Sequence, residues 1–193
     1  MDTWEIEWEK IYGKQFIEKI GVKYGDTVID FGCHEGRYSI VLAQVVGDSG
    51  IVYAIDKDNA PIRKLRQKIR NTEYDDIIQI IHSNRIPDSV YEESIDFFLL
   101  YDVLHYLNQK QRVQTYRAIF PILKSETGVL SLHPKHTKDD VFPFWNFKDL
   151  TIKDVVMEVE EFGFHYKEKI QGLLVHRDNF EYSSIYNFVK KTM

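Results

Sequence analysis

The sequence predicts an α/β fold, a parallel sheet with helices on its faces, and three stretches carry that prediction. The first is Thr27-Val-Ile-Asp-Phe-Gly-Cys-His-Glu-Gly-Arg-Tyr-Ser39. It opens as a short apolar run, Val28 to Phe31, passes two glycines, Gly32 and Gly36, and continues into an amphipathic run from Tyr38 to Val46. The second is Gly50-Ile-Val-Tyr-Ala-Ile55, apolar and ending on Asp56. The third runs from Ser94 to Leu107, where Asp96 opens a buried strand, Phe97 to Leu100. Strand, tight turn, helix and strand make one β-α-β unit, the connection that parallel neighbours require.

The remaining elements follow in order. Residues 3 to 20 read as a helix that either packs on the sheet or lies over a ligand opening. Trp4, Trp8, Ile11 and Tyr12 recur at three- and four-residue spacing, as do Phe16 and Ile20, with Gly13 a potential break and Gly21 the stop. A helix from Asn59-Ala-Pro61 to about Asn71 carries proline in its first turn, where it is tolerated. Its Arg63, Lys64, Arg66, Lys68 and Arg70 read as a solvated face, because no aromatic residues are interleaved for base stacking. Ile77 to His82 is the third strand. Gln109 to Leu123 is a helix that turns Val113, Tyr116, Ile119 and Phe120 toward the sheet, with Pro121 near its end; Gly128 to Leu132 is the fifth strand. From His133 to Asp149 no period is visible, and Phe142, Phe144, Trp145 and Phe147 serve either a substrate cover or ordinary core. Thr151 caps a helix that ends near Phe162-Gly163, with Ile152, Val155, Val156 and Val159 on one face. Phe164 to Ile170 and Phe180 to Val189 are two further strand candidates. No repeat, linker or low-complexity segment interrupts the chain.

Length and composition fit one compact domain over residues 1–193. It comprises an N-terminal helix at about 3–20, a core at about 25–132, and an aromatic loop with the last strands over 133–193. A net charge of -5 does not favour a nucleic-acid partner held by bulk charge. One cysteine, Cys33, excludes an intramolecular disulfide framework and suits a reducing compartment. No apolar run approaches the roughly 18 residues of a membrane span, and the acidic start lacks a signal-peptide pattern. The expected location is the cytoplasm, with no membrane partner.

The glycine turn has a chemical reading. Glycine lets the backbone approach a ligand where a Cβ would clash, and the helix start behind it offers free N–H groups. Asp56, about twenty residues on, is placed to accept both hydroxyls of a ribose. The dinucleotide fingerprint G-x-G-x-x-G is absent, because the turn reads Gly32-Cys-His-Glu-Gly36.

Val28-Ile-Asp-Phe-Gly-Cys-His-Glu-Gly36 resembles motif I of the class I S-adenosylmethionine-dependent methyltransferases, and the resemblance continues through Asp56 and through Asp96 to Leu107. One departure is plain: His34 stands where the family has its central glycine. The resemblance implies a Rossmann-like, doubly wound, seven-stranded sheet, mostly parallel with an antiparallel last strand and helices on both faces. It also implies S-adenosylmethionine as cofactor. Asp30, Gly32, Cys33, His34 and Gly36 would wall its methionine end, and Asp56, with Lys57 beside it, would hold the ribose. Asn84 would face adenine, with His82 and Ser83 as register alternatives. Tyr101, Asp102 and His105 would border the transferred methyl group. His105 is the candidate base, since imidazole accepts a proton near neutral pH; its other reading is a histidine packing a helix start.

The stretch after Asp96 looks like motif IV of the small-molecule methyltransferases and lacks the Asn/Asp-Pro-Pro-Tyr/Phe form, so the implied substrate is a small molecule. Methylation of arsenite by thiol-ligating enzymes is set aside, because it needs several cysteines. His133-Pro-Lys-His136 has no partner cluster that would make it a metal site. Two other readings stay open. One is a methyltransferase-like module that binds the cofactor, or nothing, and acts through a protein partner, which His34 favours; the other is a methyltransferase acting on RNA or protein. A homodimer is also compatible with the sequence.

Overall fold

The computed structural model describes residues 7–176 and 179–191; the first residues of the expected N-terminal helix, Trp4 among them, lie outside that range. Seven strands form one sheet in the order β3-β2-β1-β4-β5-β7-β6. The strands are β1 (Thr27–Phe31), β2 (Ile51–Asp56), β3 (Ile78–His82), β4 (Phe97–Tyr101), β5 (Val129–His133), β6 (Phe164–His176) and β7 (Asn179–Lys190). The helices are α1 (Lys14–Ile20), α2 (Arg37–Val46), α3 (Asn59–Ile69), α4 (Gln109–Ile122) and α5 (Ile152–Glu160). β1 pairs in parallel with β2, β2 with β3, and β4 with β5, whereas β7 runs antiparallel to β5. The expected mostly parallel sheet with an antiparallel last strand is therefore present. β4 and β5 are buried along their whole length. Covered on both faces, such strands read as unbroken apolar runs rather than alternations.

The described residues divide into two compact units, one within Met1–Asp88 and Ile170–Ser184, the other within Ser89–Lys169 and Ile185–Met193. In the first, a π-wound segment, Trp8–Gly13, leads directly into α1. Gly13 keeps helical angles, φ -63, so it does not break the helix. A Cβ there would stand 3.0 Å from Val41 and 3.1 Å from Trp8, so the glycine permits close packing on α2. Gly21 ends α1 in the left-handed conformation, φ 109, as a helix-stopping glycine does. The distal parts of β6 and β7 strap this helix down. Trp8 Nε1 donates to the Leu173 carbonyl at 2.8 Å, and Lys19 Nζ to that of Gln171 at 2.8 Å. Tyr38 Oη accepts from Val175 N at 3.0 Å and donates back to Val175 O at 3.3 Å.

In the second unit, both helix starts are closed by reciprocal caps. Asn108 and Gln111 exchange hydrogen bonds at α4, and Thr151 and Asp154 at α5. The face of α4 differs from the expected one. Arg112, Tyr116, Ile119 and Ile122 are buried, while Val113 and Phe120 are only half-buried. The cause is an ion pair that periodicity does not show: Arg112 Nε and Nη2 each donate to Glu158 at 2.7 Å, and Nη1 donates to the Leu107 carbonyl at 3.0 Å. The aromatic loop splits its roles, since Phe147 is core while Phe142 and Phe144 are exposed. No helix among the described residues is long and apolar enough to cross a membrane.

Candidate functional site

The glycine turn and the acid that ends β2 form one hydrogen-bonded assembly in the first unit. Gly32 N and Cys33 N both donate to the Ile55 carbonyl, at 2.8 and 3.0 Å. His34 N donates to Asp56 Oδ2 and Asp58 N to Asp56 Oδ1, each at 2.8 Å. The turn reverses direction through three left-handed residues, Gly32 (φ 84), His34 (φ 49) and Gly36 (φ 76). His34 therefore holds the backbone conformation that a central glycine would adopt freely, and its side chain is exposed. Gly36 admits no side chain: a Cβ would lie 2.2 Å from Leu65 Cδ1 on α3.

Asp56 is buried, and each carboxylate oxygen has accepted one backbone N–H. A carboxylate has about four acceptor positions, so one on each oxygen stays available to a pair of hydroxyls. The residues present thus fit a ribose. Asp30, also buried, accepts a 2.6 Å hydrogen bond from Ser39 Oγ on α2. Burial raises its carboxyl to about 6; the Ser39 hydrogen bond lowers it and the neighbouring Asp56 charge raises it. An acid held in this state is stabilised as a carboxylate by a cationic group brought beside it.

The other expected donor residues have simpler settings. Burial pushes the Cys33 thiol far up, with Asp30 and Asp56 adding to it, so Cys33 contributes backbone rather than a thiolate. Ser83 N donates to the Asp56 carbonyl at 2.8 Å, but its hydroxyl is spent in its own turn, bonded to Arg85 O at 2.8 Å and Arg85 N at 3.1 Å. Lys57 and Asn84 are exposed. The His82 ring Nε2 bonds the Lys57 carbonyl at 2.9 Å.

The second unit gathers a different set at the carboxyl ends of β4 and β5. Tyr101 is buried and shares a 2.8 Å hydrogen bond with Ser131 Oγ on β5. Asp102, with φ 54, brings Oδ1 to 3.1 Å from His133 Nδ1. His105 is buried, its ring stacked on Trp145 at 4.9 Å and 16°, with Tyr106 at 4.2 Å and His136 at 4.9 Å. His133 and His136 therefore have separate partners, since His136 Nδ1 bonds the Phe142 carbonyl at 3.0 Å. The Asp102–His133 pair and the support of Asp30 by Ser39 escape a reading of the sequence. The register that sets Tyr101 beside His133 is the signal that would have found the first.

A protein-family model described as a methyltransferase domain matches residues 23–176. A probable cobalt-precorrin-6B C(15)-methyltransferase (decarboxylating) of Saccharolobus solfataricus is 40% identical over 51 residues, 26% of this chain and 26% of that protein. A demethylmenaquinone methyltransferase of Oceanobacillus iheyensis is 26% identical over 116 residues, 58% of this chain and 48% of that protein. The matched stretches thus span a quarter to a half of these curated relatives. Among solved structures, a SAM-dependent methyltransferase from Aquifex aeolicus superposes with a TM-score of 0.73 at 20% identity, over 94% of this chain and 91% of that one. Another from Methanosarcina mazei gives 0.66 at 19% identity, over 92% and 98%. At these identities the structural likeness is one of fold.

Proposed function

We propose that this chain, a member of the methyltransferase domain family matched over residues 23–176, is a class I enzyme that transfers a methyl group from S-adenosylmethionine to a small-molecule acceptor. The observation that carries the donor side is the bond from His34 N to Asp56 Oδ2, which ties the glycine turn to the acid of β2. In this reading Asp56 accepts the ribose hydroxyls on its remaining positions. Asp30 lies at the methionine end, where an ammonium would hold it ionised. Gly32, His34 and Gly36 shape the turn, Cys33 and Lys57 lend backbone, and Ser83 and Asn84 border the base.

When bound, the donor supplies a methyl group already activated on a sulfonium. The chain then has only to orient the acceptor, exclude water and take up a proton where the acceptor atom carries one. Tyr101, Asp102 and His105 are the residues proposed to border the methyl group. His105 is the residue proposed to take up the proton.

Calorimetric titration of the purified protein with S-adenosylmethionine and S-adenosylhomocysteine, alongside Asp56→Ala, tests the proposal. Binding in the micromolar range, about 8 kcal/mol, that collapses in the variant is the expected result. A folded wild type that binds neither compound would refute the donor site and favour a non-catalytic module.

A further inference from the structure

The loop between β5 and α5, together with Tyr106 in the turn that precedes α4, keeps aromatic surface in water at some expense to itself. Tyr106 is 55% exposed, Phe144 54% and Phe142 77%. Two loop residues with side chains, His136 (φ 63) and Trp145 (φ 50), hold the left-handed backbone that such residues rarely adopt. The conformation is pinned from several directions. Phe144 N donates to the His136 carbonyl at 3.0 Å, and Asn146 Nδ2 donates to the carbonyls of His105 and Tyr106 at 3.4 and 3.2 Å. Strained backbone and exposed rings both work against stability, and such strain, when the surroundings hold it in place, clusters where a ligand is bound.

The inner half of the cluster is completed by ring on ring, since Trp145 lies 16° from parallel with His105. The outer half is left open. Tyr106 meets Trp145 at 50° and Phe144 meets it at 81°, with centroids 4.8 and 4.6 Å away, and both residues keep more than half their surface in solvent. What complements them is another flat ring, offset or edge-on, without a charge to desolvate. We infer that Tyr106, Phe144 and Trp145 form a platform for an uncharged, planar aromatic group, and that this group is the acceptor substrate or the part of it that positions the methylated atom. Its assignment to the acceptor rests on the methyl-transfer reading; the platform itself does not.

The test measures binding of 2-naphthol to the whole protein without methyl donor, by ligand-observed NMR. The wild type is compared with Tyr106→Ser, Phe144→Ser and, as a control on another exposed ring, Tyr182→Ser, which is 68% exposed in the first unit. Loss of a ring–ring contact is expected to weaken binding about five- to tenfold in each of the first two variants, with the control unchanged. Circular dichroism of each variant separates a lost contact from a lost fold. Equal affinity in all four proteins, no binding by the wild type, or equally tight binding of phenyltrimethylammonium or cyclohexanol overturns the inference. S-adenosylhomocysteine binding is measured on the same samples. Donor binding without naphthol binding sinks the platform and leaves methyl transfer standing. Naphthol binding without donor binding keeps the platform and sinks methyl transfer.

Discussion

Replacing Asp30 with asparagine is expected to stabilise the protein at neutral pH while weakening binding of the proposed methyl donor. Asp30 is only 4% exposed, and burial, with the charge of Asp56 behind it, raises its carboxyl from 3.8 to about 6. The unfolded chain releases this proton near pH 3.8, whereas the folded chain keeps it until about pH 6. Folding stability therefore falls as pH rises through that window and levels off above it. A rise from 3.8 to about 6 corresponds to about 3 kcal/mol. Asparagine carries no charge to desolvate, and its amide oxygen can still accept from Ser39 Oγ. Asp30→Asn is then expected to gain up to about 3 kcal/mol at pH 7.5 and nothing below about pH 4. Urea unfolding of both proteins across that range reads the difference as a midpoint shift of about 1–2 M at the high end. A variant less stable than the wild type at pH 7.5, or a difference that does not change with pH, would refute the reasoning. The accompanying loss of affinity for the proposed donor is read by titration calorimetry.

Three further substitutions probe the frame of the site. His34→Gly removes a side chain from a left-handed residue (φ 49); it is expected to stabilise by about 0.5–1 kcal/mol and to leave donor affinity unchanged, and a lower urea midpoint would count against it. Gly36→Ala sets a Cβ against Leu65 at φ 76, with an expected loss above about 2 kcal/mol. Adding Leu65→Ala should restore the steric part, which a double-mutant cycle would show as a positive coupling. Arg112→Ala strands the Glu158 carboxylate inside the second unit, where the Arg112 side chain is 4% exposed; the expected loss is about 3–5 kcal/mol, seen as a thermal midpoint lower by at least about 6 °C. Arg112→Lys should rescue little, because it cannot reproduce the two-pronged bond.

Much of the fold was legible because it is written locally. An apolar run of four or five residues, a glycine turn and an amphipathic run specify strand, turn and helix through backbone sterics and burial over one short stretch. That is why β1, α2 and β2 appear where Val28, Gly36 and Asp56 place them. Thr151 announced its helix because a cap is made with a residue three positions away. The misreadings share one feature, a partner far along the chain. Gly13 reads as a break, yet it stays helical, and a Cβ there would crowd both Trp8 and Val41 of the neighbouring helix. Val113 was expected on the buried face of α4, but that face belongs to Arg112, whose partner Glu158 is 46 residues away. β6 was expected to stop at Ile170 and runs on to His176, because Trp8 and Tyr38 take up its backbone groups.

The candidate site divides along the same line. The sequence by itself determined which residues line the turn and which acid ends β2, since both are set by spacing within one β-α-β unit. Only the tertiary structure decided their states. Asp30 is raised toward neutrality, Asp102 is joined to His133, Ser83 is spent in its own turn, and His105 is stacked under Trp145. Such states depend on how much water is excluded and which charges and rings lie within a few ångströms. Most of those neighbours come from distant parts of the chain, and only packing brings them together.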